Sequence, residues 1–301
     1  MFRTVNRLVI GLVIMSSAGC VTTGGRFNDI DFGRTSDGFR VDSLKFPTEM
    51  TKWSKFVNVR NTVIGEPDIT SPKPAVVILP ACSGIRDHSD PQHRMWTKEF
   101  IDAGYVVLNV GSQLPRLAPI MCGGMKKRSL SEKQLAVDAY DAIEHLSKIP
   151  GVDKDRIFTM GFSLGAMTSG QMASKAIQEE AGKGRIQPRA VTGVYGGCSF
   201  ANGRYQYLFG DTNIPLLWLM GSADNDTKPS DCAPILSSLK EKNPNIIKWK
   251  IYPNATHCWD CIVLNGYISR APNGNSVTYI YNEEVTKQSM TDTIKFFNQF
   301  K

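Results

Sequence analysis

The sequence lacks the features that would point to nucleic-acid binding or to a membrane-spanning protein. Its formal net charge is only +7 over 301 residues, and no basic cluster is interleaved with aromatic residues, which argues against a nucleic-acid partner. The short run Lys126-Lys127-Arg128 fits a solvated loop. The apolar run from Leu8 to Met15 is too short to cross a bilayer. No repeats are evident, and 42% apolar residues are enough for a substantial core.

The N-terminus has the features of an export signal. Arg3 and Arg7 precede the apolar run, and small residues follow it. The string Ser17-Ala18-Gly19-Cys20 resembles the lipobox of bacterial lipoproteins, in which the signal is cut before the cysteine and the cysteine is lipidated. A plain secretory signal in which Cys20 is incidental is the alternative.

We therefore expect three regions along the chain. Residues 1–19 are the predicted signal peptide, residues 20–50 a tether rich in small and polar residues, and residues 51–301 a single folded domain. Val21 fits, by resemblance, delivery to an outer membrane, so we expect a periplasmic domain anchored to the membrane through Cys20. Either interpretation of the signal places the mature chain outside the cytosol.

Cysteine usage agrees with export. Six of the seven cysteines remain when Cys20 is set aside, and an even number in an exported chain favours disulfides. Free buried thiols are the alternative, and the sequence alone does not choose among the possible pairings. The six are Cys82, Cys122, Cys198, Cys232, Cys258 and Cys261.

Apolar strands and amphipathic helices alternate along the chain. The run at 75–79, between Pro74 and Pro80, is typical of a parallel strand buried on both faces. Further strands are predicted at 105–110, around 156–160, and at 190–195, 214–220 and 246–252, with an antiparallel edge within 53–64. Helices are predicted at 91–103, 131–148, 164–175, 234–242 and 287–300. This alternation predicts an α/β fold, with a mainly parallel central sheet and helices on both faces.

The string Gly161-Phe162-Ser163-Leu164-Gly165 lies where a predicted strand meets a predicted helix. A serine hydroxyl that stands clear at the end of a sheet needs a very sharp turn, which small residues on both sides allow. Ser163 is therefore the candidate nucleophile. A Gly-Ser turn at the start of a helix is the alternative.

A nucleophilic serine needs a base, and the base needs an acid that orients it. Asp224 and His257 follow Ser163 in the chain, each just after a predicted strand, which is the order that α/β-hydrolases use. Asp226 lies in the same turn as Asp224 and is an alternative acid, with Asp260 a weaker one. The other three histidines are expected at the surface, although His93 could also approach the site as the base. They are His88, His93 and His145.

The segment Pro80-Ala81-Cys82-Ser83-Gly84 follows the first predicted parallel strand. In an α/β-hydrolase this loop turns a backbone N–H toward the substrate oxygen, and the residue after the nucleophile supplies a second N–H. The N–H groups of Cys82 and Leu164 are therefore the candidate oxyanion donors. An ordinary strand-to-helix turn is the alternative.

Together these motifs resemble the dienelactone hydrolase family of α/β-hydrolases, in particular its exported members, over residues 70–300. The matching segments are 76–84, 104–107, 152–157, 161–166, 221–224 and 252–257. The resemblance favours Asp224 over Asp226. The chain departs from the family at two places: Ser163 stands where the founders have cysteine, and Pro80-Ala81 replaces the more usual His-Gly. The first departure implies ester or broader acyl hydrolysis rather than the dienelactone reaction.

The resemblance also implies two disulfides, Cys82–Cys122 and Cys198–Cys232, which leaves Cys258 and Cys261. The string Cys258-Trp259-Asp260-Cys261 could be a redox or metal element, but neither a thioredoxin-like context nor a second cysteine pair at zinc spacing accompanies it. A local disulfide that stiffens the loop of His257 is the favoured interpretation, and no metal is expected.

The expected function is hydrolysis of a small-molecule carboxylic ester or related acyl bond through Ser163, His257 and Asp224, with an acyl-enzyme and no cofactor. Two alternatives stay open. One is a non-catalytic lipoprotein that binds a ligand or partner on the same fold; the other is an acyltransferase or peptidase that uses the same residues. The loops at 86–93, 114–128 and 262–281 are expected to set specificity.

Overall fold

The computed structural model describes residues 44, 46–47, 49–66, 68–118, 120–122, 130–200, 205–270 and 276–301. The predicted signal peptide, Cys20, most of the tether and the run Lys126-Lys127-Arg128 lie outside the described residues. No helix in the part of the chain that is described combines the length and the hydrophobicity needed to cross a bilayer.

A seven-stranded sheet forms the centre of the domain described by the structure. Its strands are β1 (Val63–Ile64), β2 (Lys73–Leu79), β3 (Val106–Asn109), β4 (Val152–Phe162), β5 (Val191–Val194), β8 (Leu216–Gly221) and β9 (Ile247–Tyr252). They lie in the order β1-β3-β2-β4-β5-β8-β9, in which β1 is antiparallel to β3 and every other neighbouring pair is parallel. Two small antiparallel pairs complete the strands: β6 (Ser199–Phe200) with β7 (Tyr205–Gln206), and β10 (Ile268–Arg270) with β11 (Ser276–Thr278).

The described residues form six α-helices. They are α1 (Asp90–Asp102), α2 (Glu132–Ser147), α3 (Leu164–Met172), α4 (Lys175–Glu180), α5 (Pro229–Lys242) and α6 (Glu283–Asn298). Side-chain caps fix two of the helix starts: Ser131 accepts from the N–H of Gln134 before α2, and Asn282 accepts from the N–H of Val285 before α6. Each cap satisfies a backbone N–H that has no partner inside its helix.

Apolar clusters cover both faces of the sheet. On one face, Trp96 and Phe100 of α1 and Phe297 of α6 pack with Phe158 of β4. On the other face, α2 packs its buried stripe, including Ile143, against β2 and β3. Because both faces are covered, β2, β3, β5 and β8 are buried along almost their whole length, as parallel strands require.

The predicted mainly parallel sheet and its helices on both faces are confirmed, and the corrections concern element ends and loops. The helix after Ser163 ends at Met172, and α4 is separate from it. α5 begins at Pro229, five residues before the predicted start, because proline is well tolerated in the first turn of a helix. The prediction that His93 lies at the surface is wrong, since its side chain is fully buried on the first turn of α1.

Candidate active site

Ser163 occupies a strained turn between β4 and α3. Its φ of 49° and ψ of −108° lie in a region that residues other than glycine rarely adopt. Two glycines make the turn possible: a Cβ added at Gly161 would lie 2.2 Å from the carbonyl oxygen of Gly165, and one added at Gly165 would lie 2.3 Å from that of Leu79. The Ser163 N–H donates to the carbonyl of Val194 at 3.0 Å, which ties the turn to the end of β5.

Three predicted site residues meet at the carboxyl edge of the sheet. His257, after β9, has its Nε2 3.2 Å from Ser163 Oγ and its Nδ1 2.8 Å from Asp224 Oδ2. Asp224 follows β8, and one strand, β5, separates β8 from the strand of Ser163. With Nδ1 donating to the carboxylate, Nε2 is left to accept from the serine hydroxyl. The arrangement can pass a proton from Ser163 to His257.

Asp224 is held as an anion by the turn that contains it. The backbone N–H groups of Asp226 and Thr227 donate to Oδ1 at 2.8 and 2.9 Å, and the Thr227 hydroxyl donates to Oδ2 at 2.8 Å. Burial alone would raise the pKa of Asp224, but the charge of His257 and these hydrogen bonds lower it below its usual value. The acid is therefore ionised throughout the neutral range.

The electrostatics of the site favour a protonated His257. Burial disfavours the imidazolium, but the neighbouring charge of Asp224 outweighs burial and, with smaller contributions from Asp226 and Asp260, raises the pKa of His257 to about 9. A cation formed at His257 during a reaction is thereby stabilised at close range.

The alternative acids, Asp226 and Asp260, and the alternative base, His93, make different contacts from those of Asp224 and His257. Asp226 Oδ2 lies 3.8 Å from Nε2 of His257 and makes no contact with Nδ1. Asp260 is fully buried and accepts from Trp96 Nε1 at 2.7 Å. His93 pairs through Nδ1 with Asn109 Oδ1 at 2.7 Å instead of with Ser163, and burial lowers its pKa to about 4.

The predicted oxyanion loop faces the start of α3. As the first residue of α3, Leu164 has a backbone N–H with no partner inside the helix. No hydrogen bond among the described residues uses the N–H of Cys82, whereas its carbonyl accepts from Met121 at 2.9 Å. A small cavity lies behind this loop, lined by Ala81, Met121 and Leu164 among others.

The structure contains the two disulfides that the resemblance implies, Cys82–Cys122 and Cys198–Cys232, and the predicted local disulfide Cys258–Cys261. The first ties the predicted oxyanion loop to the segment after β3, and the third closes the short loop that follows His257. Cys258, Asp260 and Cys261 form the one group of three potential metal ligands found among the described residues. Because both sulfurs are in a disulfide, neither is a thiolate that could bind a metal.

Aromatic rings that were not among the predicted site residues line His257. The ring of Tyr195, just after β5, lies 4.8 Å from the imidazole between centroids, and that of Tyr279, just after β11, lies 5.7 Å away. Tyr195 and Thr227 follow the carboxyl ends of parallel strands, a position that could have marked them as site residues. For Tyr279 the sequence carries no comparable signal, because it reaches the site through the β10–β11 pair.

A family model described as the dienelactone hydrolase family matches residues 61–301. Three solved structures show the same fold, and at their low sequence identities to this chain they are evidence for the fold only. A Klebsiella pneumoniae subsp. pneumoniae protein assigned as a dienelactone hydrolase is 18% identical, with a TM-score of 0.57 over 77% of this chain and 89% of its own. A dienelactone hydrolase-like promiscuous phosphotriesterase from metagenomic libraries is 16% identical, with a TM-score of 0.51 over 77% and 88%.

The third structure is an esterase from Thermogutta terrifontis with butyrate bound. It is 13% identical to this chain and has a TM-score of 0.54 over 77% of this chain and 86% of its own. No curated protein sequence matches this chain.

Proposed function

This chain belongs to the dienelactone hydrolase family and is a hydrolase, and we propose that it cleaves a carboxylic ester or related acyl bond with Ser163 as nucleophile. The observation that carries the proposal is the continuous hydrogen-bonded path from Ser163 Oγ through His257 to Asp224. The three groups come from three different strand ends, those of β4, β8 and β9.

In the proposed mechanism, Ser163 Oγ attacks the carbonyl carbon while its proton passes to His257 Nε2. The carbonyl oxygen becomes an oxyanion, for which the N–H groups of Cys82 and Leu164 are the proposed donors. The bond to the leaving alcohol then breaks, and the alcohol takes the proton from Nε2. Asp224 holds the ring and stabilises its cation throughout.

The acyl group now bound to Ser163 is released by water. His257 takes a proton from the water as its oxygen attacks the ester carbon, and Ser163 regains a proton when the acid leaves. The cycle needs no cofactor. A Thermogutta terrifontis esterase of the same fold has butyrate bound, and for this chain we propose a small-molecule ester as the substrate class.

The first experiment is labelling of purified mature protein with a fluorophosphonate, followed by mass spectrometry of the modified peptide. We expect the adduct on Ser163, and we expect it to be absent from the Ser163→Ala and His257→Ala variants. A folded protein that is not labelled would contradict the proposal and favour a non-catalytic, ligand-binding role. If Ser163 is labelled, the rates of ester hydrolysis and of acyl transfer to an added alcohol are compared, because an acyltransferase uses the same acyl-enzyme.

We also propose that the domain is exported and anchored through a lipid on Cys20, facing the periplasm from the outer membrane. All six described cysteines are in disulfides, which supports an oxidising compartment. Growth of cells that express the full chain with labelled palmitate tests the anchor. We expect label in the wild type and none in the Cys20→Ala variant, and equal labelling of both would contradict the proposal.

A further inference from the structure

Asp260 is a buried carboxylate that the proposed mechanism does not use. It lies three residues after His257 and is fully buried. Three side chains donate to it: Trp96 Nε1 to Oδ2 at 2.7 Å, Gln92 Nε2 to Oδ1 at 2.9 Å, and the Tyr195 hydroxyl to Oδ1 at 2.8 Å. Two of the donors come from α1 and the third from the end of β5, so one carboxylate joins three separate elements.

The donor set suits an ionised carboxylate. Indole and amide N–H groups can only donate, and an ionised carboxylate can only accept, so every contact is matched without a proton on Asp260. Burial is the largest influence and leaves the pKa of Asp260 above its usual value, while the hydrogen bonds from Gln92, Trp96 and Tyr195 act in the opposite direction. Charge-assisted hydrogen bonds of this kind are stronger than neutral ones.

Tyr195 connects this carboxylate to His257. Its hydroxyl is held by Asp260, and its ring lies 4.8 Å from the imidazole between centroids, at an interplanar angle of 59°. The backbone of Tyr195 has a φ of 41°, and its N–H donates to the carbonyl of Leu219 at 2.8 Å. A strained residue held at both its backbone and its hydroxyl cannot turn its ring away from His257 without losing one of these bonds.

Asp260 also restrains His257 through the chain. The loop from His257 to Cys261 is closed by the Cys258–Cys261 disulfide and by the Cys261 N–H, which donates to the carbonyl of Cys258 at 3.0 Å. Asp260 is the residue of this loop whose side chain binds α1. A loop so short cannot shift at Asp260 without shifting at His257.

We propose that Asp260 is a positioning residue for His257. It holds Tyr195 against the imidazole, it fixes the loop that carries the imidazole, and its negative charge stabilises the cation that forms there. This inference rests on the proposed function. The other titratable groups that face His257 are Asp224 and Asp226 after β8, Tyr195 after β5 and Tyr279 after β11.

The test is the pH dependence of the rate at which a fluorophosphonate labels Ser163, measured for wild type, Asp260→Asn and Tyr195→Phe. In Asp260→Asn we expect the plateau rate to fall by about 5-fold or more and the midpoint to move to lower pH by about 0.3 unit or more, because a negative charge near the imidazolium is lost. Tyr195→Phe keeps the ring and removes the hydroxyl. Its plateau should fall by about 2- to 5-fold, with a smaller shift of midpoint.

Asp292→Asn is the matched control. Asp292 also accepts from a tyrosine hydroxyl, that of Tyr252 at 2.8 Å, but it lies on α6 and does not face His257. We expect the labelling rate of this variant to have the same midpoint pH and the same plateau as that of the wild type.

A merely structural role for Asp260 would reduce the fraction of protein that is labelled and leave the midpoint unchanged, and that result would overturn the inference. If Asp260→Asn does not fold, Trp96→Phe removes one donor and keeps an aromatic ring; wild-type plateau and midpoint in both Trp96→Phe and Tyr195→Phe would then overturn it. Absence of labelling in the folded wild type would instead contradict the proposed function itself.

Discussion

Asp226 Oδ2 lies 3.8 Å from Nε2 of His257, the nitrogen that faces the Ser163 hydroxyl. The imidazole therefore has a carboxylate near each of its two nitrogens, since Asp224 Oδ2 lies 2.8 Å from Nδ1. In the proposed mechanism the two acids differ in role, because only the contact at Nδ1 fixes which nitrogen is free to take the serine proton.

We expect replacement of the two acids to have very different effects. Asp224→Asn should reduce the rate of ester hydrolysis by about 10³- to 10⁴-fold, because an amide no longer enforces the productive tautomer. Asp226→Asn should reduce the plateau rate by less than about 10-fold, because a partly exposed charge near an imidazole contributes modestly. Steady-state kinetics on an activated ester would show the difference, and losses of equal size would refute the assignment of Asp224 as the orienting acid.

The activity should rise with pH and reach its plateau only in alkaline solution. Neutral His257 is the form that accepts a proton, and the pKa of His257 is raised to about 9, so the neutral form is the minor one at pH 7. As the pH rises through that value the neutral fraction grows and the rate follows it. A profile of kcat/KM against pH measures this rise in rate.

The same pH profile of kcat/KM, measured for Asp226→Asn, tests the direction of the effect of Asp226 on His257. Removing a negative charge that favours the imidazolium lowers the pKa of His257, so the rise in kcat/KM should occur at lower pH than in the wild type. A rise at the same pH or at higher pH would contradict the role given to Asp226.

Much of the fold, and the meeting of three candidate site residues, could be predicted from the sequence, because the signals are local. Apolar runs such as 75–79 predict buried strands, and the glycines around Ser163 predict a turn in which a Cβ has no room. The order of Ser163, Asp224 and His257, combined with parallel strands, brings their strand ends to the same edge of the sheet.

What the sequence could not provide depends on contacts between distant elements. His93 follows a polar loop, but α1 begins at Asp90 and directs His93 inward, where its ring lies 5.3 Å from that of Phe162 between centroids. The place of Tyr279 depends on β10 pairing with β11, and neither of these short strands has a clear hydrophobic alternation. The donors around Asp260 come from residues more than sixty positions away in the chain.

Glycine at position 161 should be essential for folding of the turn that carries Ser163. In Gly161→Ala the added methyl would lie 2.2 Å from backbone atoms of Gly165, which cannot move without displacing α3. We expect a loss of about 3 kcal/mol or more in the free energy of unfolding. Gly210→Ala is the matched control, because the nearest atom to its added methyl is Lys242 Nζ at 3.5 Å. Urea unfolding would measure both, and a stable Gly161→Ala protein would show that the turn is looser than the structure indicates.

Two of the disulfides should contribute similarly to stability and differently to activity. Cys82–Cys122 and Cys198–Cys232 link residues 40 and 34 positions apart, so loss of either should cost about 2–4 kcal/mol in the free energy of unfolding. Only the first lies in the loop whose Cys82 N–H is a proposed oxyanion donor. We therefore expect Cys82→Ser with Cys122→Ser to lower kcat by about 10-fold or more in protein that remains folded, because a displaced donor stabilises the oxyanion less well.

The double variant Cys198→Ser with Cys232→Ser is the control for that experiment, since it removes a buried disulfide between the segment after β5 and α5, whereas the predicted oxyanion loop follows β2. It should unfold at lower urea concentration and keep kcat within about 2-fold of the wild type, as expected when only the unfolded chain gains freedom. If both double variants lose activity in proportion to stability alone, the Cys82 loop does not act on the reaction. If kcat falls only when the Cys82–Cys122 bond is removed, the disulfide serves to hold a backbone donor in place, which explains why a small-residue loop at a strand end is tied covalently to its neighbour.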